Sequence, residues 1–209
     1  MTLLEIDDHF NQQYNELLNA QKSIFENLKN YTFNLSKREM TDAILRRMDS
    51  DWHYAEENNK LLGRNKKPAS SEFFTETCLF FIKAYLEQID GDYQVRSEQN
   101  VKVERSRKIV KPDISIWKAE NLVGAIELKT LDDWFRKTSQ NHLDDREAQL
   151  KAVSNTPNLF FAVIAHWNFF DEASPEFNTK YFGLRCRKVN TPTLATVENL
   201  ILAFLASQK

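Results

Sequence analysis

The run Lys111-Pro112-Asp113-Ile114-Ser115-Ile116, followed by Ala125-Ile126-Glu127-Leu128-Lys129, decides how this chain is read. Side chains on a strand alternate faces, so Glu127 and Lys129 share one face while Ile126 and Leu128 enter the opposite layer. Residues 121–124 hold one glycine between the two apolar runs, a short turn that returns the strand of Asp113 antiparallel to that of Glu127. Two carboxylates and an ammonium then converge. Close carboxylates repel and favour a hard divalent cation, which takes oxygen ligands and is held by one or two protein carboxylates plus substrate phosphate. Such a cation polarises a phosphoryl oxygen and acidifies a water, while a lysine beside it holds that water or steadies the developing charge. The bland alternative is an acid-x-lysine pair on a solvated strand face.

Pro112-Asp113, thirteen intervening residues and then Glu127-Leu128-Lys129 form a pattern that resembles the PD-(D/E)xK motif of the restriction-endonuclease-like nuclease superfamily. The resemblance covers the middle of the chain. It implies an α/β fold with an α-β-β-β-α-β core around a mixed central sheet, and residues 71–167 can be read in that order. It also implies Asp113 and Glu127 as metal ligands, Lys129 as the catalytic lysine, and Mg²⁺ as cofactor, with Mn²⁺ able to substitute. Superfamily members often carry a further carboxylate on the first core helix, which brings in Glu76 and Glu72. Projection at 100° per residue sets both opposite the Phe74/Phe81/Tyr85 stripe, so a solvated face competes with a ligand role.

The expected function is a metal-dependent endonuclease acting on duplex DNA in the manner of a compact restriction enzyme. A non-catalytic nucleic-acid-binding or assembly subunit on the same fold, or an RNA endonuclease, is the alternative. Cutting both strands with one site per chain points to a homodimer. The net charge of −2 conceals a division that bears on this reading. Residues 1–59 hold 11 acids against 6 Lys/Arg, whereas residues 60–111 hold 11 Lys/Arg against 7 acids, so any polyanion-binding surface belongs to the middle. Lys66, Lys67, Arg105, Arg107 and Lys108 are its densest part, expected on loops beside the site. Lys180, Arg185, Arg187 and Lys188 form a third basic group.

Around the site, apolar spacing predicts a helical arm over residues 1–67, with helices over 3–30 and 36–55, the second begun by a Ser36/Glu39 capping box. The nuclease-like core then occupies residues 68–209. Within it a helix over 72–89 precedes strands over 93–103, 109–117 and 122–131, a helix over 142–153, strands over 158–167 and 181–189, and a closing helix over 193–207. Trp134, Phe135, Arg136 and Lys137 could clamp a nucleic-acid strand or anchor their loop on the core. Arg146 and Gln149 read as a solvated helix face within reach of substrate. His53, His142 and His166 lack partner motifs and read as surface or packing residues. Two cysteines, Cys78 and Cys186, suit buried free thiols rather than a disulfide. No apolar run approaches the roughly 18 residues of a membrane span, and the first residues have neither the basic start nor the apolar centre of a signal peptide, so a cytoplasmic location is expected.

Overall fold

Thr2 and Glu5 close a reciprocal cap on the first helix, α1 (Leu3–Leu28): Glu5 N–H donates to Thr2 Oγ1 at 3.2 Å, and Thr2 N–H to Glu5 Oε2 at 2.6 Å. The computed structural model describes residues 2–65, 70–102, 109–130, 137–154 and 158–209. Two compact units emerge, Met1–Phe33 and Asn34–Lys209. The first helix lies in the smaller unit and the second helix in the larger one. No residue of α1 is buried.

The second helix, α2 (Glu39–Leu61), starts later than its sequence suggests, because a tertiary cap replaces the local one. Ser36 turns to Asn34, whose Oδ1 accepts from both its N–H and its hydroxyl, so the Ser36/Glu39 box does not form. The first N–H groups of α2 are taken instead by Glu198, only 1 % exposed, whose Oε1 accepts from Met40 N at 2.6 Å and Thr41 N at 3.3 Å. Thr41 Oγ1 donates to Glu198 Oε2 at 2.6 Å and accepts from Val197 N at 2.8 Å. One buried carboxylate thus satisfies a helix N-terminus 157 residues away in sequence. Replacing Glu198 by Ala strands those donors and is expected to cost about 3 kcal/mol of stability in urea unfolding. A loss below about 1 kcal/mol would show that the two helix ends find other partners.

In α3 (Ser71–Ile89), Phe74, Cys78, Phe81, Ile82 and Tyr85 recur at helical spacing and are buried. The Asp90-Gly91 turn ends it and feeds β1 (Tyr93–Ser97). The long strand expected over 93–103 breaks at Glu98, whose φ of 49° is incompatible with a pleat, and resumes as β2 (Val101–Lys102). Its partner likewise splits into β3 (Ile109–Val110) and β4 (Ile114–Lys118) around Pro112, which can donate no ladder hydrogen bond. β2 and β3 pair as a separate ribbon. β4 turns at Ala119-Glu120, with Ala119 at φ 52°, into β5 (Asn121–Lys129). Gly124 is therefore not the turn glycine. It lies inside β5 beside a bulge, where an added Cβ would meet Ile116 and Phe204 at 3.1 Å.

After α4 (Lys137–Val153) come β6 (Phe160–Asn168), β7 (Tyr181–Cys186), β8 (Thr191–Pro192) and α5 (Val197–Ser207), the last capped by Thr196. Among the described residues the chain is mixed α/β, with five helices and a six-stranded sheet ordered β1-β4-β5-β6-β7-β8. β1, β4 and β5 run antiparallel in turn, β6 and β7 parallel to β5, and β8 antiparallel at the edge. Helix α3 packs on β1 and β5, α5 on β6, and α2 on both helices. On the other face Leu143 and Leu150 of α4 close a core with Ala125, Phe161 and Val163. Strand alternation then carries Glu127 and Lys129 to the α4 face beside Ala125. No described helix is long and apolar enough to cross a membrane.

Candidate active site

β4 and β5 pair Ile114 with Ile126 and Ser115 with Ala125, so continuing the register sets Asp113 opposite Glu127 on the α4 face. The corner after Pro112 is fixed through the backbone: Asp113 carbonyl oxygen accepts from Ser97 Oγ at 3.0 Å and Glu98 N at 3.1 Å. Its carboxylate accepts from Leu128 N at 2.7 Å, which locks the acid onto the β5 edge. Lys129 Nζ sits between the two acids, 3.3 Å from Glu127 Oε2 and 3.9 Å from Asp113 Oδ2. The structure thus brings together Asp113, Glu127 and Lys129, the three residues of the motif.

Arg146 completes the group. Its Nε donates to Glu127 Oε1 at 2.6 Å and its Nη2 to the Lys111 carbonyl. The signal for it lies in the helix period: Leu143, Arg146, Glu147 and Leu150 occupy positions i, i+3, i+4 and i+7, so the arginine shares the core-facing stripe rather than a solvated face. Gln149 is exposed. Glu127 is nearly inaccessible, its side chain 4 % exposed against 30 % for Asp113. Burial, and then the Asp113 charge, push the Glu127 carboxyl above the usual carboxylate range, while Lys129 and Arg146 act in the opposite direction.

Asp113 and Lys129 open onto a cleft of about 650 Å³ between the first turns of α3 and the ends of β1 and β5, also lined by Glu72, Glu76, Ser97, Glu98 and Thr130. Glu72 and Glu76 are exposed yet reach the cleft wall, so the helical projection describes their solvation and misses their placement. They are not gathered with the other acids: among the described residues no group of three or more His, Cys, Asp or Glu could hold a metal ion. Asp113 and Glu127 are the two carboxylates that could hold a hard cation, the number such an ion needs when it keeps several waters and takes substrate oxygens; both Glu127 oxygens are ion-paired here, to Lys129 and Arg146.

The basic loop residues Lys66, Lys67, Arg105, Arg107 and Lys108 lie outside the described residues, as do Trp134, Phe135 and Arg136. Two members of the third basic group are occupied in structural pairs. Lys180 binds Glu147 at 2.8 Å, and Arg185 grips Asp49 with both Nη atoms at 2.6 and 2.9 Å. Cys78 is buried, where loss of hydration pushes its thiol up and leaves it unreactive.

His166 is a packing residue, as its isolation in the sequence suggests. It is 1 % exposed between Trp52, Phe74 and Trp167, and neither ring nitrogen has a hydrogen-bond partner among the described residues. Burial, then the Arg185 charge, lower its pKa to about 4, against a smaller upward pull from Asp49. The folded state therefore holds it neutral while the unfolded chain binds a proton below about pH 6.5. Its contribution is complete above that pH and is lost as pH falls toward 4, an expected acid sensitivity of about 3 kcal/mol. Urea unfolding at pH 7 and pH 4 should show that much less acid loss in His166→Phe. Equal losses in the two proteins would contradict a buried neutral imidazole.

No protein-family model, curated protein or solved structure matches the chain.

Proposed function

We propose that this chain is a magnesium-dependent endonuclease that hydrolyses phosphodiester bonds in DNA, on a restriction-endonuclease-like core. The observation that carries the reading is the set Asp113, Glu127 and Lys129, held within 4 Å contacts by paired strands at the edge of an open cleft. The order of elements supports it too: a helix (α3), three sheet strands in antiparallel succession (β1, β4, β5), a helix (α4) and a further strand (β6) repeat the arrangement that the motif's superfamily implies.

Electrostatics explain why a cation belongs in the chemistry. Glu72, Glu76, Glu98 and Asp113 line the cleft with Lys129 as its one lining cation among the described residues, so a phosphodiester entering unaided meets a field of its own sign. Asp113 and Glu127 would hold a divalent ion, which would invert that sign and supply Lewis-acid polarisation of the phosphoryl oxygen and a more acidic water. The remaining work falls to side chains already in place. Lys129 can give one of its ammonium protons as a hydrogen bond to the attacking water or to the phosphoryl oxygen where charge builds. Arg146 holds Glu127 in one rotamer and ties it to the Lys111 carbonyl, fixing the approach to the Pro112-Asp113 corner. Leu128 N–H does the same for Asp113.

The test is a substrate panel for the purified protein: supercoiled plasmid, linear duplex, single-stranded DNA and RNA, each with Mg²⁺, Mn²⁺ or chelator. Metal-dependent cleavage of duplex DNA is expected. Cleavage confined to RNA would move the substrate while keeping the chemistry, and inactivity on all four would remove the reading.

A further inference from the structure

We propose that α1 is a dimerisation helix that pairs antiparallel with α1 of a second copy of this chain. The inference rests on α1 alone and does not depend on the nuclease reading.

Leu3, Ile6, Phe10, Tyr14, Leu17 and Ile24 fall within one stripe about 120° wide on a helix about 39 Å long. Each is between 40 % and 80 % exposed. Such a stripe on a helix without a buried residue lacks the packed face from which helices in proteins draw most of their stability. The six residues expose roughly 700 Å² per copy, so mutual burial removes roughly 1,400 Å², within the range of stable protein pairs.

The charge pattern selects the occupant. Residues 3–28 carry Glu5, Asp7, Asp8, Glu16 and Glu26 against Lys22 alone. Helices that lie on anionic lipid or track nucleic acid are rich in Lys and Arg on the polar face, and this one is the reverse. A second copy needs no basic surface, because the charged residues project away from the stripe, with Asp7 the exception. Asp7 also sets the orientation. A parallel pair stacks Asp7 on Asp7 within the seam, where like charges lose hydration and repel. An antiparallel pair centred on Gln13 and Tyr14 places Phe10 against Leu17 and Leu3 against Ile24, and separates the two Asp7 residues by about 20 Å along the axis. It also sets the two helix dipoles in opposition.

Light scattering on the full chain at concentrations up to about 100 μM should report twice the chain mass, and Phe10→Glu with Leu17→Glu should report a monomer. Both positions are exposed, and an unchanged near-ultraviolet circular dichroism spectrum separates loss of pairing from misfolding. Orientation is read by oxidising a mixture of Ile6→Cys and Gln21→Cys chains in a Cys186→Ser background: a disulfide between unlike chains is expected, with little product joining two Ile6→Cys chains. A monomeric wild type, which would leave the stripe to some other protein, overturns the proposal. So does a dimer that survives the double glutamate variant, or a dominant disulfide between like chains.

Discussion

Asp113→Asn is expected to lower magnesium-dependent DNA cleavage by about 10³-fold or more while leaving stability within about 1 kcal/mol of wild type. The two outcomes separate because the carboxylate has two roles. Asparagine's Oδ1 can still accept the Leu128 N–H that now lies 2.7 Å from Asp113 Oδ2, so the β4–β5 corner survives. The negative charge, which the cation requires, does not. Glu127→Gln should be equally inactive but less stable, because Lys129 and Arg146 then face a neutral amide in a nearly closed site. Plasmid nicking assays and denaturant unfolding of both variants check this pair, and wild-type cleavage in either one would refute the assignment of its acid.

The second large effect concerns Lys129→Met, for which turnover should fall by about 10²- to 10³-fold with metal and DNA affinity retained. Methionine keeps the buried stem and removes the ammonium. Without that cation Glu127 keeps, among the described residues, only Arg146 as an oppositely charged partner, so the pair of acids is expected to attract a divalent ion at least as strongly as before. Single-turnover rates at saturating DNA, set beside equilibrium binding, discriminate the outcomes. Loss of metal affinity with the lysine would make Lys129 a structural counter-ion to the acids instead of a group acting on the reacting atoms.

How much of this was legible in the chain depends on the range of the interactions. The β4–β5 pair was readable because period-two alternation and a close return are local properties, and α3, β6 and α5 because their apolar spacing is regular. Asp113 and Glu127 could be placed face to face from that alone. What escaped was set by contacts between distant segments. Glu198 overrides the Ser36/Glu39 signal by reaching across from α5, which shifts the start of α2 and draws that helix into the larger unit. The strand breaks at Glu98 and Pro112 belong to a corner held by Ser97 and Asp113, where a polar backbone position needs its partner more than the strand needs its length. The Ala119-Glu120 turn lacks glycine, so the nearest glycine drew the turn to itself while in fact sitting under Phe204.

The electrostatic picture changed in the same way. From the sequence the two acids stand mainly against each other, with one lysine beside them, and removing either should relieve repulsion. In the folded chain Lys129 and Arg146 already balance Glu127, which makes that acid a partner in an ion-paired cluster and its loss a cost. Arg146 was visible in principle, because a charged residue on a stripe fixed by Leu143 and Leu150 must meet either a counter-charge or solvent. Two basic residues of the third group show the converse, since Lys180 and Arg185 look available for phosphate yet are committed to Glu147 and Asp49.

If Asp113 and Glu127 form one divalent-cation site, titration of the full chain with Mn²⁺, followed by electron paramagnetic resonance of the free ion, will report it. One ion should bind per chain, and both Asp113→Asn and Glu127→Gln should abolish that binding while Lys129→Met preserves it. Absence of binding in the wild type, or stoichiometric binding that persists in both carboxylate variants, would contradict the account.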